Sequence, residues 1–165
     1  MDGMSLYLAG GVFNAAERIH NLFLERSLTD LNWPVIVPQW EALKFLNPKT
    51  GHLNLKGVAR DCRSVVENPK NICVACTDGP DADAGTAVEY GHAITATGRA
   101  IVYRTDFRTA PEHELGVNAM FRQEGTHYIY CPCLVRDLGG LKVFYDKLAG
   151  EIDRAARLII AREEK

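Results

Sequence analysis

The chain has 165 residues, with 19 Lys and Arg against 21 Asp and Glu and a formal net charge of −2. That length suits one domain with a single sizeable core over residues 1–165. The even charge leaves no electrostatic footprint for nucleic acid or a membrane surface. The longest apolar runs, such as Ile101-Val-Tyr103, are far too short to cross a bilayer. Met1-Asp-Gly-Met-Ser5 has neither the basic nor the long apolar segment of a signal peptide, so a cytoplasmic protein is expected.

Ser5-Leu-Tyr-Leu-Ala9 is a β-like run ending in Gly10-Gly11. From Asn14 to Leu28, apolar residues recur at helical spacing. Asn14 is the expected N-cap, with Glu17 three residues on as in a capping box. Pro34 and Pro38 bound a short strand. Leu53 to Glu67 is a predicted helix that Asn68-Pro69 ends. Asn71 to Thr77 is an almost wholly apolar strand, the pattern of a sheet covered on both faces. Thr86 to Thr97 is a predicted helix with Gly98 as its stop.

Arg99 to Arg104 is the next strand, and Tyr128 to Cys131 a fifth. The last helix is expected to begin after Gly139-Gly140. Leu141, Phe144, Leu148, Ile152, Ala155 and Ile159 give it one apolar face, and Ala161 to Lys165 is expected to fray.

Alternating strands and helices imply an α/β fold with a parallel sheet between helical layers. The expected architecture is a flavodoxin-like, doubly wound, five-stranded sheet of order 2-1-3-4-5. Ligands of such sheets bind where the winding reverses, between strands 1 and 3. Two loops meet there, Ala9-Gly-Gly-Val-Phe13 and Thr77-Asp-Gly-Pro-Asp-Ala-Asp-Ala-Gly85.

Of the five cysteines, Cys73 and Cys76 form a C-x-x-C. On a strand, an offset of three points the two thiols to opposite faces, which argues against a shared metal or a redox pair. Buried free thiols are the expected state of the cysteines.

Gly10 and Gly11 open onto a helix whose backbone N–H groups could meet an anion, yet they match no phosphate-binding motif and also suit a plain tight turn. Asp78, Asp81 and Asp83 on the facing loop would repel a phosphate unless Mg²⁺ intervened. A neutral, hydroxyl-rich ligand fits better. Glu89 stands among small and apolar residues near a helix start, where the helix dipole favours its ionised form. Gly85, Ala87 and Gly91 leave room beside it, and Gly91 implies a close-packed neighbour, backbone or ligand. An ionised carboxylate in a cleft can attack an anomeric carbon and hold the sugar as an ester, while a second acid protonates the leaving group. On chemistry alone two readings stay open. Either Glu89 is that nucleophile, or Asp83 merely caps the helix and Glu89 is solvated.

Four segments carry a resemblance to the nucleoside 2-deoxyribosyltransferase family. Tyr7-Leu-Ala-Gly-Gly-Val-Phe13 resembles its first strand and loop. Asp83-Ala-Gly-Thr-Ala-Val-Glu-Tyr-Gly-His-Ala93 resembles its signature D-x-G-x-x-x-E-x-G-x-A. Asp61 falls where the family has a helical aspartate, and Val117-Asn-Ala-Met-Phe121 resembles the segment that reaches a neighbouring subunit's site. The resemblance implies that Glu89 attacks C1′ and that Tyr7 holds it by a hydrogen bond. It implies that Asp83 binds sugar hydroxyls and Asp61 helps deliver a proton to the base. Asn118 of a partner chain, with Met120 beside it, would complete the 5′ contacts in a homo-oligomer that is at least a dimer.

Phe13 and Trp40 are read either as stacking on the base or as core. The implied substrates are a deoxyribonucleoside and a free nucleobase, with overall retention of configuration and neither cofactor nor metal. Two features depart from the family. Some members end in an aromatic residue that enters a site, whereas this sequence ends Glu163-Glu164-Lys165. Two extra residues also stand between Asp61 and Glu89. The alternatives are an N-glycoside hydrolase acting on deoxynucleosides or their 5′-monophosphates, and a non-enzymatic nucleotide-binding module on the same fold.

Overall fold

The computed structural model describes residues 3–108 and 117–163. Five strands form one parallel sheet, β1 (Ser5–Ala9), β2 (Val35–Ile36), β3 (Asn71–Cys76), β4 (Ala100–Arg104) and β5 (Thr126–Tyr130), in the order β2-β1-β3-β4-β5. The helices are α1 (Ala15–Asp30), α2 (Pro38–Glu41), α3 (Leu55–Val66), α4 (Ala84–Thr97) and α5 (Leu138–Glu163). Short 3₁₀ turns cover Ala42–Phe45 and Ala119–Phe121. The flavodoxin-like order expected from the alternation is the one observed.

Strand period two sorts the core into two layers. Leu6, Leu8, Ile72, Val74, Ile101 and Tyr103 face α1 and α5 and pack with Leu24, Leu28, Leu148 and Ile152. Tyr7, Ala9, Cys73, Ala75, Ala100 and Val102 face the other way, onto Val66 of α3 and Tyr90 and Ala93 of α4. Cys73 and Cys76 fall on opposite faces accordingly, and all five cysteines are free. Among the described residues, no group of three or more His, Cys, Asp or Glu side chains converges as a metal site.

The caps follow local chemistry. Asn14 accepts from Glu17 N at 3.1 Å, and the Glu17 carboxylate accepts from Asn14 N at 3.2 Å and Phe13 N at 2.8 Å, closing the capping box. Gly98 ends α4 at φ 69°, the left-handed conformation glycine adopts without strain.

Several boundaries differ from the sequence reading. Pro38 closes β2 and occupies the first position of α2, where its missing N–H costs nothing. The strand is therefore two residues long. α3 begins at Leu55, capped by Asn54, whose side chain accepts from Gly57 N at 3.0 Å. β5 starts at Thr126, whose N–H bonds Gln123 O at 3.1 Å. α5 starts at Leu138, ahead of the glycine pair, because Asp137 accepts from Gly140 N at 2.7 Å. The same helix continues through Ala161 to Glu163, where fraying was expected; Glu164 and Lys165 lie outside the described residues.

Candidate active site

One strand and one helix bring the central pair together. Tyr7 is the middle residue of β1, pairing with Cys73 of β3 and Ile36 of β2. Glu89 lies in the N-terminal half of α4, and Tyr7 Oη donates to Glu89 Oε1 at 2.6 Å. Burial raises the Glu89 carboxyl above its ordinary value. Hydrogen bonds from Tyr7 and Cys62 oppose the rise, and the nearby Asp83 charge adds to it. Burial, then the Glu89 charge, keeps the Tyr7 phenol protonated far above its usual range, so it remains a donor. Cys62 of α3 is the third member of this group. Its thiol is pushed up, mainly by burial.

A cavity of about 590 Å³ opens over Glu89 between α3 and α4. Cys62, Gly85, Val88 and His92 line it, with Arg60 and Arg63 on the α3 side. It is large enough for a nucleoside-sized ligand. Gly85 matters sterically, since a Cβ there would come within 2.9 Å of Asp83 Oδ2. Asp83 caps α4, accepting from Thr86 N at 2.9 Å and Thr86 Oγ1 at 3.3 Å, both on Oδ2. Capping and ligand binding are compatible here, because Oδ1 is not used by the cap.

The remaining candidates spread over neighbouring surfaces. Asp61 sits on α3 between Arg60 and Cys62 but is not among the residues lining the Glu89 cavity; its charge is felt at Cys62 and Lys44. Gly10 and Gly11 line a separate cleft of about 320 Å³ with His20, Cys76, Asp78 and Tyr145. A Cβ on Gly11 would collide with the Glu17 carboxylate, so its lack of a side chain serves the capping box. Neither Phe13, 80 % exposed, nor Trp40 is core. Phe13 is free to meet a ligand, while the Trp40 indole donates to Glu25 at 3.2 Å and lies under the Arg18 guanidinium. Asn118 lines a small cavity of about 150 Å³ beside Asp81 and Arg104 of its own chain.

Asn118 caps the short 3₁₀ turn, accepting from Met120 N at 2.9 Å. Met120 is exposed, but Phe121 is buried against Tyr90 with ring centroids 4.9 Å apart. Phe121 therefore belongs to the protein's own core, where an interface position was expected. Gly91 also departs from expectation, since a Cβ there would meet nothing within 4 Å.

The acidic loop reads differently in three dimensions. Asp78 borders the Gly10 and Gly11 cleft, yet its carboxylate is already engaged by the protein. It accepts from Thr105 N at 2.5 Å, Asp106 N at 2.9 Å and the Thr105 hydroxyl, tying the end of β3 to the end of β4. Asp106 returns the bond, accepting from Gly79 N at 3.2 Å. The buried Arg104 guanidinium donates to the carbonyls of Thr77, Gly79 and Arg108. This clamp fixes the start of the loop that carries Asp81 and Asp83 toward Glu89. No signal in the sequence marks it, because the bonds that join the two loops link residues 25 to 28 positions apart.

The sequence matches the family described as nucleoside 2-deoxyribosyltransferase over residues 6–120, well over half of the chain. The chain belongs to that family. The span matched includes Tyr7, Asp61, Asp83, Glu89 and Asn118. Among solved structures, a conserved protein from Enterococcus faecalis V583 superposes with a TM-score of 0.62 at 22% identity, covering 87% of this chain and 98% of that one. A 2-deoxyribosyltransferase from the psychrotolerant bacterium Bacillus psychrosaccharolyticus superposes with a TM-score of 0.54 at 18% identity, covering 84% and 90%. At these identities the two share the fold with this family member. No curated protein matches the sequence significantly. Among the described residues, no helix is long and apolar enough to cross a membrane.

Proposed function

We propose that this nucleoside 2-deoxyribosyltransferase family member exchanges nucleobases on 2′-deoxyribonucleosides through an ester between Glu89 and the sugar. The observation that carries the reading is the Tyr7–Glu89 hydrogen bond, which orients the carboxylate at the cavity that Glu89 lines. A Glu89 oxygen attacks C1′ as the C1′–N bond to the base breaks, and the departing base takes up a proton. Asp61, on α3 just outside the cavity lining, helps to deliver that proton by swinging toward the bound base. An incoming base then attacks C1′ from the opposite face, breaks the ester and loses its own proton. Two inversions give net retention. Asp83 Oδ1 accepts from a sugar hydroxyl, and Phe13 lies against the base. Residues 1–165 act as one cytoplasmic unit within a homo-oligomer, in which Asn118 and Met120 reach a partner's sugar.

The engagement of Asp78 by β4 favours a second reading. Donors on the Asp78 carboxylate and the Arg104 guanidinium against the same loop offset part of its negative charge, so the loop repels a phosphate less than three free acids would. Hydrolysis of deoxynucleosides or of their 5′-monophosphates is then the alternative, with water in place of the second base. Incubation with a deoxynucleoside and a different free base separates the readings. A new nucleoside supports transfer, free deoxyribose or its 5-phosphate supports hydrolysis, and an unchanged mixture rejects both.

A further inference from the structure

Apart from Glu89, the long polar side chains that line the Glu89 cavity offer hydrogen-bond donors and no anionic acceptor. Arg60 and Arg63 line it from α3 and His92 from α4. Two of these three are already engaged. Arg63 Nε bonds Glu67 Oε1 at 2.8 Å, and His92 Nδ1 lies 3.0 Å from the same oxygen. Among the described residues Arg60 has only a long contact, Nε to Lys56 O at 3.4 Å, so most of its donors face the cavity or solvent. Asp61, the adjacent carboxylate, is not among the lining residues.

A guanidinium carries five donors and no acceptor. It pairs with two neighbouring acceptors on one edge of a flat ligand, as with O6 and N7 of a 6-oxopurine, and meets a 6-amino group donor to donor. We propose that Arg60 is a specificity-determining residue that makes the base end of this site select oxo nucleobases, such as hypoxanthine, over their amino counterparts, such as adenine. The inference deepens the proposed base exchange and rests on it for the ligand class. Arg60 touches the base and takes no part in breaking the glycosidic bond.

The test is equilibrium binding of free hypoxanthine and adenine to the full-length protein, by calorimetry, for wild type, Arg60→Gln and Arg60→Lys. Arg60 is solvent-exposed, so its substitution leaves the core untouched. Wild type is expected to favour hypoxanthine about tenfold, the low end for a bidentate contact at an exposed site. Arg60→Gln should erase that ratio while leaving adenine affinity nearly unchanged. Arg60→Lys, a point charge without the fork, should restore only part of it. A ratio of one in wild type, a preference for adenine, or a ratio that survives Arg60→Gln overturns the proposal. Deoxyinosine 5′-monophosphate is titrated beside the free bases, and a loss shared equally by both bases but larger for this ligand also overturns the proposal, assigning Arg60 to the phosphate.

Failure of the parent reading looks different. Selective base binding without cleavage of any nucleoside sinks base exchange and leaves Arg60 standing. Equal kcat/KM for deoxyinosine and deoxyadenosine, with equal base affinities, does the reverse.

Discussion

Tyr7 Oη donates to Glu89 Oε1 at 2.6 Å, joining a sheet residue to a helix residue 82 positions away. The bond favours the ionised carboxylate, while burial works against it and dominates. Tyr7→Phe keeps the packing of a side chain that is 1 % exposed and removes the donor. The acid limb of kcat/KM should lie above the ordinary glutamate value of 4.5 in wild type and move further up in Tyr7→Phe. Loss of one charge-assisted hydrogen bond should also lower the rate at neutral pH by about tenfold. A pH–rate profile of the variant that overlays wild type would remove Tyr7 from its positioning role.

Glu89→Gln should lose about 1,000-fold or more of base exchange, as expected for a deleted covalent nucleophile, while keeping the fold. In wild type, a 2-fluoro-2-deoxy nucleoside should add its sugar mass to the peptide containing Glu89 alone. The same substitution has a signed effect on stability. The folded-state pKa of Glu89 is raised, so the native chain binds a proton more tightly than the unfolded chain. Stability contributed by the protonated form is present below the unfolded value and falls as pH climbs through the folded value. Glu89→Gln should lack that fall and melt higher than wild type at neutral pH. Activity within about tenfold of wild type would end the nucleophile assignment.

Much of this arrangement was legible because it depends on local periodicity. The alternation in Leu6-Tyr7-Leu8-Ala9 and in Ile72-Cys73-Val74-Ala75 sends successive side chains to two different helical layers. Asn14 and Glu17 announce a cap within four residues. The misplaced boundaries share a cause. Gly139-Gly140 reads as a break, yet Asp137 captures Gly140 N and draws both glycines into the first turn of α5. Pro38 reads as a strand end and also starts a helix. What stayed hidden is non-local. Nothing near Asp78 in the sequence shows that Thr105 and Asp106 consume its carboxylate. Nothing around Cys62 or Arg60 shows that α3 turns them toward Glu89 while Asp61 misses the cavity lining.

Gly91 supplies a stability test. It lies inside α4, and a Cβ there would meet nothing within 4 Å. Gly91→Ala should stabilise the isolated chain by about 1 kcal/mol, the difference in helix propensity, read from the denaturant midpoint at unchanged m-value. Gly91 lines a groove with Arg63, Val88 and His92, so a loss of stability that appears only at concentrations where the chain self-associates would mean that another copy covers that groove.

The last prediction concerns a shared site. Asn118 and Met120 stand on a 3₁₀ turn whose Phe121 is anchored in the core, so the turn presents an amide and an exposed thioether from a fixed base. Asn118 borders a cavity apart from the one that holds its own chain's Glu89. If it serves a partner's sugar, Glu89→Ala and Asn118→Ala chains are each inactive alone. Each hybrid dimer then has one site with both good residues and one with neither. Random reassembly makes half of the dimers hybrid, so recovery should approach about a quarter of wild-type activity in a twofold assembly. Native mass spectrometry of the mixture verifies that hybrids formed. Verified hybrids without activity, or a fully active monomer in solution, would assign Asn118 to its own chain.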